Sequence, residues 1–320
     1  MSGRRFRLAG VLVAMCAVAL GQAPSAPAKA RQHGPYALGM RTATFVDTTR
    51  PTASNGAYPG APTRTLPTLL LYPTAGRPGA PAVENARPLT RRRSGRFPLI
   101  VFSHGFTASG PAYRVVLERF VRQGYVIAAP TFPLSSGGAP GGPKLVDYVN
   151  QPGDVSFVLT RTLGLARGHG FLARSVDRND IGVMGHSLGA ITTLGVAANS
   201  CCLDRRIDAA AAWSGIQLPF GSGTYFPRRT PPLMLVHGDA DRTVPYAGST
   251  QAYAAAPPPK VLLTLLGGPH VFFTAPWFEP FVRTTTDFLD GYLKHSRRAL
   301  RRLATDGTVP GATSVRLSLR

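Results

Sequence analysis

Short, wholly apolar runs alternate with longer stretches of helical pattern along most of this chain. The β-branched, aromatic and Leu-rich segments Thr42–Val46 and Leu66–Tyr72 predict two opening strands, followed by a loop rich in Pro, Gly and Arg. From Phe97 the alternation becomes regular. Strands are predicted over Phe97–Phe102, Tyr125–Ala129, Ile181–Met184, Asp208–Trp213, Leu233–Val236 and Val261–Leu265. Helices fall between or after them at Tyr113–Arg122, Val155–Leu165, Leu188–Ala198, near Tyr246–Ala255 and near Pro280–Leu293. A strand that is apolar on both sides must be covered on both faces, so the order β, α, β, α predicts an α/β fold with a mostly parallel central sheet flanked by helices. No internal repeat is present. One domain is expected over residues 41–295, preceded by a flexible lead-in over 31–40 and followed by a basic C-terminal tail over 296–320 that frays after about residue 305.

Composition narrows the class. Of 320 residues 44% are apolar and 16% charged, a globular balance, and 35 Gly with 30 Pro exclude long coiled coil. The N-terminus carries Arg4, Arg5 and Arg7 ahead of an apolar run from Leu8 to Leu20, then a Pro/Ala stretch ending Ala28-Lys29-Ala30. This is the layout of a signal peptide over residues 1–30, and it predicts a protein that is secreted or held in the periplasm or cell envelope. The run of 13 residues is shorter than the roughly 20 that span a bilayer. Residues 1–30 hold four basic side chains and no acidic one, so a formal charge of +21 becomes +17 after cleavage. That excess, with Arg91–Arg93 and the Arg297–Arg302 cluster, predicts electrostatic adsorption to anionic surfaces. Arginines without interleaved aromatics do not predict specific nucleic-acid reading. Cys201 and Cys202 are adjacent, which rules out a disulfide scaffold, and they are expected to be two buried small side chains after a helix. No metal or cofactor site is expected, because the histidines lack ligand spacing. A monomer is expected.

The chemistry is concentrated in Gly185-His186-Ser187-Leu188-Gly189, between an apolar strand and a helix. A sharp strand-to-helix turn lifts a serine Oγ above the carboxyl edge of the sheet, and the flanking glycines remove side chains that would collide there. A serine nucleophile needs a base. Of seven histidines, His33, His169 and His295 lie in the lead-in, a loop and the terminal basic segment, and His186 belongs to the turn with its ring pointing away from the serine. His104 and His237 each end a strand before Gly, where a ring serves structure. His270, just past the last strand, remains. The acid that orients it must come from His237-Gly238-Asp239-Ala240-Asp241, which offers two carboxylates.

The order Ser187, Asp241, His270 and the stretch Gly238-x-x-Asp241-x-x-Val244-Pro245 resemble the α/β-hydrolase superfamily, and the resemblance implies that Asp241 is the acid. Phe97–Phe106, ending in Ser103-His104-Gly105-Phe106, looks like that family's oxyanion strand and implies the backbone amides of Phe106 and Leu188 as donors. Trp213, Trp277 and Phe272 are candidates for an apolar substrate pocket. The resemblance runs from about Thr42 to Leu293 and is nearest to the dienelactone-hydrolase-like, platelet-activating-factor-acetylhydrolase-like and chlorophyllase-like serine esterases of bacteria. The segment Ser214 to Pro231 is too short for a large cap domain. The function implied is a secreted serine hydrolase of carboxylic esters, acting on a small-molecule or lipid-like ester. The alternatives are a peptidase of the same fold, and a basic surface-binding protein with a vestigial site.

Overall fold

The computed structural model describes residues 35–90 and 96–320. The expected signal peptide over residues 1–30 lies outside the described residues, as do 31–34 of the lead-in and Arg91–Arg93. Ten strands form one sheet: β1 (Ala37–Asp47), β2 (Arg64–Thr74), β3 (Val83–Glu84), β4 (Phe97–Ser103), β5 (Val126–Pro130), β6 (Val176–His186), β7 (Ala209–Trp213), β8 (Leu233–Gly238), β9 (Lys260–Leu265) and β10 (Thr313–Ser318). Their spatial order is β10-β9-β8-β7-β6-β4-β5-β2-β1-β3. The six strands from β5 to β9 in that order are mutually parallel, while β2 joins β5, and β10 joins β9, in the antiparallel sense.

Six helices cover it: α1 (Arg114–Arg122), α2 (Gln151–Leu165), α3 (Leu188–Ala198), α4 (Ala247–Ala255), α5 (Phe278–Leu293) and α6 (Arg297–Gly307). Side chains alternate across a strand, so each apolar strand feeds two cores. Leu99, Val101, Val183, Leu233 and Leu235 pack with Val155, Leu159 and Leu194 of α2 and α3. Ile100, Phe102, Met184, Met234 and Val236 pack on the other face with Leu117, Phe120, Phe281 and Phe288 of α1 and α5. Burial on both faces explains why the central strands read as unbroken apolar runs.

Three expectations are corrected. The lead-in does not extend to residue 40, because β1 begins at Ala37 and pairs Ala37 with Thr74 and Met40 with Leu71. Gly39 lets that strand cross the Tyr72 ring, which a Cβ would strike. The C-terminal tail does not fray. Ala299, Leu303 and Gly307 form the buried stripe of α6, with Arg297, Arg298 and Arg301 on its exposed side, and β10 then covers the edge of β9. The density of arginine hid an amphipathic helix. Cys201 and Cys202 are not both buried. Cys201 is exposed and Cys202 half-buried after α3, joined to each other, where the Cys201 amide donates to Asn199 Oδ1 at 3.0 Å.

One buried cation organises the approach to the sheet's carboxyl edge. Arg64, 1% exposed, donates from Nε and Nη2 to Asp154 at 2.8 and 2.6 Å, and from Nη1 and Nη2 to Asp147 at 3.2 and 2.9 Å. A charge removed from water needs such pairing. Asp147 lies in the 3-10 turn Leu145–Asn150, so Arg64 fastens that turn to the start of β2 and of α2.

Candidate active site

The chain runs from β4 to β5 on one side and returns to β6 on the other, so the connections diverge between β4 and β6. In a parallel sheet the crevice above such a switch point, at the carboxyl ends, is where ligands bind. Ser103 ends β4 and His186 ends β6, and the two glycine-containing turns beyond them face each other across it.

Ser187 has φ 57° and ψ −121°, a strained conformation for a residue with a side chain. The turn enforces it: a Cβ on Gly185 would overlap the Gly189 carbonyl, and one on Gly189 would overlap the Ser103 carbonyl. The Ser187 amide is held by the Trp213 carbonyl at 2.8 Å. The structure brings the three predicted side chains together. Ser187 Oγ lies 2.9 Å from His270 Nε2, and His270 Nδ1 lies 2.7 Å from Asp241 Oδ2. The carboxylate fixes the tautomer: Nδ1 carries the proton, so Nε2 is free to accept one.

Asp241 is held by more than His270. Its Oδ1 accepts the Thr243 and Val244 amides at 2.8 and 2.9 Å, and its Oδ2 also accepts His237 Nε2–H at 3.0 Å. Burial pushes this carboxyl up, but the Val244 amide, His270 and the Thr243 amide outweigh it and hold the group below its usual range. Asp239 is exposed and, among the described residues, accepts the Gly267 amide at 2.6 Å. Of the two carboxylates that the residues left open, Asp241 is the one that reaches His270.

No acceptor among the described residues takes the amides of Phe106 or Leu188. Leu188 opens α3, where the first amides have no intrahelical partner. At Phe106 the peptide is aimed from behind. His104 Nδ1–H donates to the Gly105 carbonyl at 2.7 Å, and His104 Nε2 accepts the Phe132 amide at 2.9 Å. A trans peptide plane points its N–H opposite its C=O, so a carbonyl tied inward turns the Phe106 amide outward.

Three of the histidines set aside in the sequence, His104, His186 and His237, thus stand around the site. His104 and His186 are buried and neutral, pushed down to about 4 chiefly by burial, and burial also lowers His237. His237 accepts from Ser249 Oγ at 2.7 Å through Nδ1, which leaves Nε2–H for Asp241. Each ring ends a central strand, and that position was the available signal.

The pocket expectation is corrected. Trp213 and Phe272 are fully buried in the core shared with α5, where Trp213 lies 4.8 Å and Phe272 5.0 Å from Phe281 between ring centroids. Trp277, half-buried, donates its indole N–H to the Leu266 carbonyl at 2.8 Å. A separate apolar cluster holds the residue after the nucleophile: Leu188, Ile191 and Phe220, themselves buried, pack with the half-buried Tyr148, Ile216 and Leu218. Tyr148 belongs to the turn fastened by Arg64, and its hydroxyl donates to the Pro219 carbonyl at 2.7 Å. Ile216, Leu218 and Phe220 lie in the short segment between β7 and β8, whose length argued against a cap but whose apolar positions went unread.

A family model described as Chlorophyllase matches residues 82–236, a span that contains Ser187 and the His104-Gly105 turn and stops before Asp241 and His270. Among curated proteins there is no significant match. The solved structure of a ferulic acid esterase from Streptomyces cinnamoneus resembles this chain with a TM-score of 0.63 at 21% identity, over 83% of this chain and 93% of that one. In all, 1041 solved chains match, so the architecture is a common one that hosts many activities, and the chemistry has to come from the site.

Proposed function

We propose that this chain is a carboxylic ester hydrolase of the α/β-hydrolase type that works through an acyl-enzyme formed on Ser187. The observation that carries the reading is the unbroken line from Ser187 Oγ through His270 to the carboxylate of Asp241, with two unpartnered amides beside it. As Oγ attacks the ester carbonyl, His270 Nε2 takes its proton and Asp241 stabilises the imidazolium that forms. The amides of Phe106 and Leu188 receive the developing oxyanion. His270 then gives the proton to the departing alcohol, and a water activated by the same nitrogen releases the acid. The proton transfer from Ser187 to His270 uses groups already in hydrogen-bond reach.

The cluster of Leu188, Ile191, Tyr148, Ile216, Leu218 and Phe220 supports an ester with an apolar acyl or alcohol portion. The chlorophyllase-type family match and the ferulic acid esterase neighbour support the same choice of bond. The leader pattern over residues 1–30 supports secretion, which N-terminal sequencing of protein from the medium tests: a mature chain that begins before residue 20 counts against it.

The decisive experiment is covalent labelling with an organophosphonate ester, read by peptide mass spectrometry. The label is expected on Ser187, and Ser187→Ala is expected to lose several orders of magnitude in turnover of p-nitrophenyl esters while melting like the parent. Labelling at another serine overturns the assignment. A panel of acyl chain lengths, a ferulic acid ester and peptide amides then separates esterase from peptidase.

A further inference from the structure

We infer that Tyr113 and His186 are positioning residues, whose side chains link the oxyanion turn to the main chain of His270 and thereby hold the base at proton-transfer distance from Ser187. The inference rests on the Ser187–His270–Asp241 reading above.

The link is a directed chain of hydrogen bonds. The Gly105 amide donates to Tyr113 Oη at 3.3 Å, Tyr113 Oη lies 2.7 Å from His186 Nδ1, and His186 Nε2 lies 2.9 Å from the His270 carbonyl oxygen. Both ends are backbone groups with no choice of role. A carbonyl can only accept, so His186 carries its proton on Nε2. Nδ1 of the neutral ring must then accept, and Tyr113 must donate to it. The tyrosine oxygen is left to accept from Gly105. One arrangement of protons satisfies every member.

What the chain holds is otherwise loosely held. His270 follows Gly267-Gly268-Pro269 and lies outside any strand or helix. Among the described residues, the protein hydrogen bonds to the main chain from Pro269 to Phe273 are two, both to the His270 carbonyl: the one from His186 and one from Ser214 Oγ at 3.2 Å. The His186 ring also packs beneath the base, its centroid 5.0 Å from that of His270, and against Phe273 at 5.2 Å. Tyr113 and His186 are both buried, so no water competes for their bonds. Burial also keeps them neutral, with Tyr113 pushed up to about 12 and His186 down to about 4. At the other end a Cβ on Gly105 would press on the Tyr113 hydroxyl at 2.9 Å and on Ser187 Cβ at 3.3 Å, so the tyrosine reaches the turn only because residue 105 is glycine.

Removing one oxygen breaks the chain. In Tyr113→Phe the Gly105 amide loses its acceptor and His186 Nδ1 its donor. Nε2 keeps its proton, because the His270 carbonyl is the hydrogen-bond partner the ring retains, but the ring is no longer fixed at Nδ1 and can turn, carrying the base with it by up to about 1 Å. Displacements of this order cost up to about a hundredfold in rate.

Three full-length variants test the inference: Tyr113→Phe, His186→Leu and His186→Gln, whose amide nitrogen takes the place of Nε2. Ester turnover, the phosphonate labelling rate of Ser187 and the 15N signals of His186 are measured for each. Tyr113→Phe and His186→Leu are expected to lose roughly ten- to a hundredfold in kcat and in labelling rate with KM unchanged. His186→Gln is expected to recover most of the loss, and in Tyr113→Phe the His186 Nδ1 signal is expected to shift to that of an imidazole nitrogen without a donor while Nε2 stays protonated. Wild-type labelling of Ser187 with equal rates in all variants overturns the positioning role alone. Absence of label on wild-type Ser187 overturns the underlying reading instead. If His186→Leu fails to fold, Tyr113→Phe decides the matter by the same rates and signals.

Discussion

Asp241→Asn exchanges one oxygen of a carboxylate that accepts four N–H donors: Thr243 and Val244 amides on Oδ1, and His270 and His237 on Oδ2. Either orientation of the asparagine presents an NH2 group to a pair of donors. The backbone pair cannot yield, and His237 Nε2–H also faces the Val244 carbonyl at 3.0 Å, whereas His270 can move its proton, so the NH2 turns toward His270. His270 then accepts at Nδ1 and carries its proton on Nε2, facing Ser187 with a hydrogen where a lone pair is needed. In an isolated triad this wrong tautomer costs about 10⁴-fold, which corresponds to about 5.5 kcal/mol of transition-state stabilisation. Asp239→Asn weakens a single exposed bond to Gly267, with an expected cost on the order of 1 kcal/mol in stability and little in rate. The assay is kcat/KM on a p-nitrophenyl ester for both purified variants, with melting curves that confirm folding at the assay temperature. A folded Asp241→Asn that keeps more than a tenth of wild-type activity refutes the tautomer argument. A dead, folded Asp239→Asn shows that the acid is the other residue.

The neutral His186 adds an acid-sensitive contribution to stability. Its folded pKa of about 4 lies below the unfolded 6.5, so the contribution is complete above pH 6.5 and declines as pH falls toward 4, by about 3 kcal/mol in all. Asp287, pushed up to about 7 chiefly by burial, has the opposite sign, so the useful quantity is the melting difference between wild type and His186→Gln. That difference should shift toward the glutamine variant on acidification, and a pH-independent difference counts against the linkage. Arg64→Met leaves the carboxylates of Asp147 and Asp154 buried without their cation and is expected to cost about 3–5 kcal/mol, or about 10 °C in Tm. Melting within a degree or two of wild type would show that those groups reach water or protons instead. The basic excess predicts binding to anionic vesicles at low salt that is lost near 1 M, where the Debye length is about 3 Å; binding that ignores salt contradicts it.

Much of the fold was legible because burial on both faces leaves a local trace. Leu99 to Phe102 must be apolar at every position to feed two cores, and a run of that kind is visible without knowing its neighbours. The turn around Ser187 was legible for a similar reason, since the glycines at 185 and 189 answer a steric demand within a few residues. His270 could be reached by elimination because it follows the last parallel strand. Other features depended on contacts far apart in the chain. Asp239 and Asp241 differ by two positions and look alike until β9 delivers His270, and the loop then lets one carboxylate reach it and leaves the other at the surface. Trp213 and Phe272 read as pocket aromatics because aromatic residues at strand ends suit a core and a cleft equally, and only the packing of α5 against them places them inside. The basic terminus concealed α6 because arginine density masks a stripe of Ala299, Leu303 and Gly307 until α5 supplies the surface that buries it. The tie from Gly105 through Tyr113 and His186 to His270 contains bonds between residues 73 and 84 positions apart, and no local pattern encodes a bond whose two ends meet solely because β4 and β6 lie side by side.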